Sequence, residues 1–171
     1  MKRMTTFLLA CLASIALLSC EKIEPLEILQ PKQEEEKNNQ NNNGNPSNEM
    51  ATTLYLTIGG VTKSATLVSN SSTEALVTQL QEGDITYEAH DYGDFEKVGA
   101  LGYTFPQNNE QIKTGPGDLI LYQGSNLCIY YDTNSWNFTR IGKLDNVTQA
   151  DIKAWVKAGE NNVNVTLSLK Q

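Results

Sequence analysis

Short runs that alternate apolar and polar residues recur through residues 51–171, and they restrict this part of the chain to a β-rich fold. The first run, TLYLTIGGVTKSATLV, puts leucine and isoleucine on one face of a strand and threonine and tyrosine on the other. Gly59 and Gly60 follow, and paired glycines supply the positive backbone angles that a two-residue hairpin turn requires. The pattern therefore predicts a β-hairpin at the start of the region.

Further strand signals follow the hairpin. They lie in the segments DITYEAH, KVGALGYTF, DLILYQ, NLCIYYD, FTRIGKL and NVNVTLSL. With the two hairpin strands these make eight, and short strands separated by frequent turns favour a mainly β fold. We predict a closed eight-stranded antiparallel barrel, because closure removes exposed strand edges. A β-sandwich with two helices packed against it is the competing arrangement.

Two helices interrupt the strands. Ser71 and Glu74 have the spacing of a capping box and predict a helix over residues 73 to about 81. Later in the chain, Thr148 is expected to cap a second helix that carries Asp151 at its third position. We expect both helices to cap the barrel.

The first twenty residues, MKRMTTFLLACLASIALLSC, have the features of an export signal. A basic start precedes an apolar run that is too short to span a bilayer as a helix. The ending LLSC resembles a bacterial lipobox, which implies that cleavage leaves Cys20 first in the mature chain with a lipid on its thiol. We therefore expect a lipoprotein signal peptide over residues 1–19 and a membrane anchor at Cys20; a chance cysteine after an ordinary signal peptide is the alternative.

Residues 20–50 are rich in Glu, Asn and Gln and contain few apolar side chains. Such a composition predicts a disordered tether, so the folded domain is expected to span residues 51–171. The whole chain has a net charge of −7, and an acidic chain without a basic cluster is a poor candidate for binding nucleic acid. These features predict a monomer held at the outer membrane of a Gram-negative cell, facing either the periplasm or the cell surface.

Two segments resemble cyclophilins. TGPGDLILYQGSNLCIYYDT, residues 114–133, resembles the part in which a Gly-Pro-Gly turn leads into one strand and Gly-Ser plus an amide residue leads into the next. IGKLDNVTQADIKAW resembles the strand end and the late helix that follow. The order of strands and helices agrees over residues 52–170, so the resemblance implies a cyclophilin-like barrel similar to the small bacterial cyclophilin-like domains.

The cyclophilin catalytic pattern is incomplete in this sequence. The isomerases carry an arginine in the strand after the first helix, and the corresponding tract DITYEAHDYGDFEKVG has none. Rotation about a peptide bond crosses a barrier of ~18–20 kcal/mol, and a positioned cation is a main way to lower it. The match also places Asn126 at a pocket glutamine, Cys128 at the aromatic that grips proline and Phe138 at a rim histidine.

The resemblance therefore implies a binding module without strong isomerase activity. The alternative is a weak peptidyl-prolyl cis-trans isomerase or foldase that acts on envelope proteins. An assay of cis/trans exchange in an Ala-Pro peptide separates the two: catalysis that disappears in Arg140→Ala would establish the isomerase.

Arg140 is the last arginine of the chain. If Ile141 points into the barrel, Phe138 and Arg140 share the outer face, where a guanidinium can hold a carboxylate or a peptide carbonyl. The alternative is an ion pair between Arg140 and Asp118 or Asp132. We expect a peptide, an envelope protein or a small ligand to bind in a groove formed by Arg140, Phe138, Tyr122, Asn126, Tyr130 and Tyr92.

The tract HDYGDFEKVG, residues 90–99, is open to two interpretations. His90 can be a base or a metal ligand beside Asp91 and Asp94, or the tract can be a polar connection with packed aromatics. His90 is the single histidine, so a zinc site lacks ligands, and we expect neither metal nor cofactor. Cys128 has no neighbouring Lys or His and is expected to be a buried, inert thiol.

Overall fold

The computed structural model describes residues 51–171 and has nine strands and two helices. The strands are β1 Thr53–Ile58, β2 Val61–Leu67, β3 Ile85–Tyr92, β4 Glu96–Ala100, β5 Glu110–Lys113, β6 Asp118–Tyr122, β7 Asn126–Tyr130, β8 Ser135–Leu144 and β9 Val163–Ser168. The helices are α1 Ser71–Glu82 and α2 Gln149–Trp155. The signal peptide, Cys20 and the tether lie outside the described residues.

The strands form the predicted closed antiparallel barrel. Neighbours around it run β2–β1–β9–β3–β4–β7–β6–β8, and β8 pairs with β2 to complete the ring. The closed eight-stranded barrel with two helices is confirmed, and the sandwich is wrong. Strand β5 is not among the predicted strands. It lies outside the ring and pairs with the first half of β8.

The barrel interior is filled by the apolar positions of the alternating runs. Leu54, Leu56 and Ile58 of β1 are buried in one large core, together with Val165 and Leu167 of β9. The residues between them are half-buried or exposed, as a strand with one buried face requires. The predicted hairpin is also confirmed, since β1 pairs with β2 across Gly59 and Gly60.

Both helices begin at a side-chain cap. For α1 the cap is Asn70 and not Ser71: the Asn70 side chain accepts a hydrogen bond from the Thr73 amide and donates one to the Arg140 carbonyl of β8. For α2 the predicted capping box of Thr148 and Asp151 is confirmed. Within residues 51–171, no helix is both long and apolar enough to cross a membrane.

Strands β2 and β8 meet in a short seam that closes the barrel. Only Ala65, Thr66 and Leu67 of β2 pair there with β8. Gly142 of β8 lies so close to Thr66 that a Cβ on it would be inside van der Waals distance of the Thr66 carbonyl oxygen. The absence of a side chain at this glycine therefore lets the two strands approach.

Lys97 of β4 has a fully buried side chain on the inner side of the sheet. Its ammonium nitrogen lies 2.8 Å from Asp91 Oδ1 of β3, and it donates to the carbonyl oxygens of Lys157 (2.9 Å) and Glu160 (2.6 Å). Asp91 also accepts from the Tyr131 hydroxyl at 2.7 Å. Burial raises the pKa of Asp91, but the hydrogen bonds from Lys97 and Tyr131 outweigh it and leave the pKa below its usual value. This network ties the segment after α2 to the barrel wall.

Candidate functional site

A cavity of about 460 Å³ opens on the outer face of the barrel, over β3, β4, β7, β6 and β8. We call it the aromatic pocket. Its lining residues are His90, Tyr92, Phe95, Glu96, Val98, Tyr122, Asn126, Tyr130, Asn134, Trp136 and Phe138. A second, smaller apolar cluster, distinct from the barrel interior, supports its floor. Concave, mostly apolar surfaces of this size with a few polar groups are typical of small-molecule sites.

Five aromatic rings form a continuous belt along the pocket. Phe95 stacks on Tyr130 with ring centroids 5.9 Å apart, and Tyr130 contacts Phe138 at 5.8 Å. Tyr92 meets Phe95 edge-on at 5.9 Å, and Tyr122 meets Phe138 at 6.5 Å. These are the separations at which aromatic pairs attract, so the rings hold one another in place.

The pairing of the strands explains why these side chains share a face. In the ladder, Tyr92 lies opposite Glu96 and Glu96 lies opposite Tyr130. Side chains directly opposite each other in neighbouring strands project to the same side of the sheet. Tyr122 of β6 and Asn126 of β7 lie opposite each other in the same way.

Strand β5 and the turn before β8 complete the rim. Ile112 of β5 pairs with Trp136, whose side chain stays 63% exposed. Asn134 is fixed by three hydrogen bonds to Thr114: its amide donates to the Thr114 hydroxyl, and the Thr114 amide and hydroxyl both donate to its carbonyl oxygen. Its side chain lies 3.5 Å from the Tyr130 hydroxyl.

Glu96 is the one carboxylate in the lining of the pocket. The residue is only 7% exposed, and its Oε2 has no hydrogen-bond partner within residues 51–171. Burial raises the pKa of Glu96, while the neighbouring Tyr130 hydroxyl, the Cys128 thiol and the His90 ring act in the opposite direction. Burial and the nearby carboxylate of Glu96 in turn raise the pKa of Tyr130.

Cys128 lies beside this carboxylate, on the neighbouring strand β7, and is buried, as the sequence predicts. Burial and the charge of Glu96 raise the pKa of the Cys128 thiol well above its ordinary value. Because the thiolate is the reactive form, this environment keeps the sulfur unreactive.

The structure brings together five of the six residues predicted to line a groove. Tyr92, Tyr122, Asn126, Tyr130 and Phe138 all line the aromatic pocket.

Arg140 does not line the pocket, although it lies on the outer face with Phe138. Its Nη1 is 2.6 Å from Asp118 Oδ1, which Lys143 also approaches at 3.4 Å. A bulge between Leu119 and Ile120 places Arg140 opposite Ile120, one position nearer to Asp118 than a regular ladder would. The guanidinium is therefore occupied by a carboxylate of this chain.

The tract of residues 90–99 is a hairpin and not a long connection. It contains the end of β3, a three-residue turn in which Gly93 and Asp94 have positive φ, and the start of β4. Asp91 turns inward to Lys97, whereas His90 faces the pocket. Among residues 51–171, no three His, Cys, Asp or Glu side chains are grouped as metal ligands.

The six residues predicted to line the groove do not include Glu96, Trp136 or Asn134. The predicted strand began at Lys97, one residue after Glu96; extending it by that residue puts Glu96 on the face of Val98. The same alternation in β8 puts Trp136 on the face of Phe138. Extending the alternation to the ends of β4 and β8 would therefore have identified Glu96 and Trp136 from the sequence.

The structure is similar to two solved structures at low sequence identity. McbB in complex with tryptophan matches with a TM-score of 0.52 and 14% identity, over 67% of this chain and 44% of that chain. The hypothetical protein AF2241 from Archaeoglobus fulgidus matches with a TM-score of 0.53 and 13% identity, over 73% of this chain and 99% of that chain. The present chain thus spans less than half of McbB, and both likenesses concern the fold.

No curated protein matches the chain. The model of the cyclophilin-like family matches residues 56–168, which is most of the barrel. The chain therefore belongs to the cyclophilin-like family.

Proposed function

We propose that this protein is a binding module that holds an apolar or aromatic part of a small ligand or peptide in the aromatic pocket. The observation that carries the proposal is the exposure of large rings around one cavity. Five large apolar side chains of residues 51–171 are exposed, and Tyr92, Tyr122 and Trp136 of these line the pocket. A concentration of exposed apolar surface in one concave place marks an interaction site.

The proposed site is centred on the aromatic belt and not on Arg140. The guanidinium of Arg140 is held by Asp118, and moving it to a ligand would leave a buried carboxylate without its closest partner. For the same reason the proposal includes no isomerase activity: the tract after α1 contains no arginine, and Arg140 is paired.

Binding of a neutral apolar dye tests the pocket. We expect Nile red to bind the wild-type protein with a blue-shifted emission, and Trp136→Ala to weaken binding by more than about tenfold, as loss of an aromatic anchor does. The side chain of Trp136 is largely exposed, so its removal leaves the core intact.

Tyr103→Ala is the matched control, since Tyr103 is an exposed aromatic outside the pocket. It should leave dye binding unchanged. An absence of dye binding, or an equal loss in both variants, would contradict the proposal.

The proposed setting is a membrane surface, where a lipid on Cys20 anchors the protein and residues 21–50 serve as the tether. A monomer at the outer membrane, presented to a peptide or an envelope protein, is the arrangement that we propose. We expect Cys20→Ser to move the protein from the membrane fraction to the soluble fraction. A variant that stays with the membranes would refute the anchor and leave the pocket proposal standing.

A further inference from the structure

We propose that the aromatic pocket selects organic cations, with the positive nitrogen of the ligand against Glu96 and its apolar body against the rings. The inference rests on the proposed function, because it names the class of ligand for the same pocket.

The buried carboxylate of Glu96 is the first support. Burying a polar oxygen without a hydrogen bond costs free energy, and burying it charged costs more. Glu96 lines the pocket, and its Oε2 atom is buried with no hydrogen-bond partner within residues 51–171. A ligand that donates a hydrogen bond from a cationic nitrogen would satisfy the oxygen and neutralise its charge together.

The second support is the absence of lysine and arginine from the described lining. Lys97 follows Glu96 in β4, but its ammonium points inward to Asp91, and Arg140 pairs with Asp118. The Glu96 carboxylate would repel an anionic ligand and attract a cationic one.

The aromatic walls supply the third support. A cation near the face of Trp or Tyr is attracted by the ring quadrupole. Tyr92 and Tyr130 lie on either side of Glu96 in the ladder, and Trp136 lines the same cavity. An ammonium group at Glu96 would therefore have an ionic partner and aromatic surfaces within one site.

Three probes of similar size test the inference on the full chain by protein-observed NMR titration. They are phenethylammonium, the neutral phenethyl alcohol and the anionic hydrocinnamate. We expect the ammonium to bind at least about tenfold more tightly than the alcohol, the usual worth of a charge-assisted hydrogen bond. The anion should bind most weakly.

Glu96→Gln removes the charge and keeps the shape of the side chain. We expect the variant to lose the preference for the ammonium while binding the alcohol as before, which also shows that the pocket is intact. Glu88→Gln is the matched control, because Glu88 is an exposed carboxylate of β3 outside the pocket lining. It should keep the preference.

Acid should weaken the binding of the ammonium. The pKa of Glu96 is raised above its ordinary value of 4.5, so the carboxylate gains a proton, and the ionic attraction is lost, as pH falls through that raised pKa. The titratable groups around it are His90 and Tyr92 of β3 and Cys128 and Tyr130 of β7. Because the His90 ring lines the same pocket, the comparison is made without it: the pH dependence should persist in His90→Gln and disappear in the double variant His90→Gln/Glu96→Gln.

The outcomes are distinct. Equal affinity for the ammonium and the alcohol in the wild type would overturn the inference and leave the proposed function standing. A preference for the ammonium that persists in Glu96→Gln would also overturn it. Failure of all three probes and of Nile red to bind would overturn the proposed function and this inference together.

Discussion

Replacement of Lys97 by methionine is expected to lower the free energy of unfolding by about 3–5 kcal/mol, as removal of one partner of a buried ion pair does. The side chain of Lys97 is fully buried, and the substitution would leave Asp91 and the carbonyl oxygens of Lys157 and Glu160 without their donor. Methionine has nearly the same length, so the loss reports the interactions and not a cavity. Urea denaturation followed by circular dichroism measures it.

Lys153→Met is the matched control for this prediction. Lys153 also pairs with an aspartate, Asp132, but both side chains are about 40% exposed, and surface pairs contribute roughly 0–1 kcal/mol. The double variant Lys97→Met/Asp91→Asn should recover part of the stability, because it removes the unpaired charge. A Lys97→Met variant as stable as Lys153→Met would show that the buried network contributes little.

Gly142→Ala is expected to destabilise the protein by about 1–3 kcal/mol, the usual cost of adding atoms to a packed interior. The new methyl group would overlap the carbonyl oxygen of Thr66, and the two strands would have to separate where only three residue pairs join them. Thermal denaturation gives the overall loss. Hydrogen exchange at the Val68 amide, which donates to the Ile141 carbonyl beside the seam, should become faster.

Gly115→Ala provides the comparison, since a methyl group at Gly115 would point into open space. We expect it to change stability little. If Gly142→Ala and Gly115→Ala have the same stability, the seam tolerates wider spacing and the close approach at Thr66 has no energetic weight.

The parts of the fold that could be predicted from the sequence are those in which local pattern and tertiary environment agree. In β1 and β9 every second residue is apolar, and these residues fill the barrel. Strand β5 could not be recognised, because EQIK has one apolar residue and becomes a strand by pairing with β8 far along the chain. Asn70 outcompetes Ser71 as the cap of α1 because its amide group also reaches the Arg140 carbonyl.

The same distinction applies to the site. Tyr122, Tyr130 and Phe138 could be assigned to one groove from strand alternation together with the cyclophilin resemblance. The partner of Arg140 could not be chosen in this way: two acids were candidates, and the register shift between β6 and β8, where Ile141 is the extra residue, brings Arg140 nearer to Asp118. The burial of Glu96 likewise depends on rings contributed by other strands, which no local window contains.

Strand β5 has a consequence for self-association. In the part of the chain that the structure describes, β5 stands at the end of the strand order and pairs with β8 alone, so its other side is an open sheet edge. Open edges recruit strands from other molecules when they are long and apolar. This edge has four residues, begins with Glu110 and ends with Lys113. Because it is short and charged at both ends, we expect it to form few intermolecular sheets even at high protein concentration.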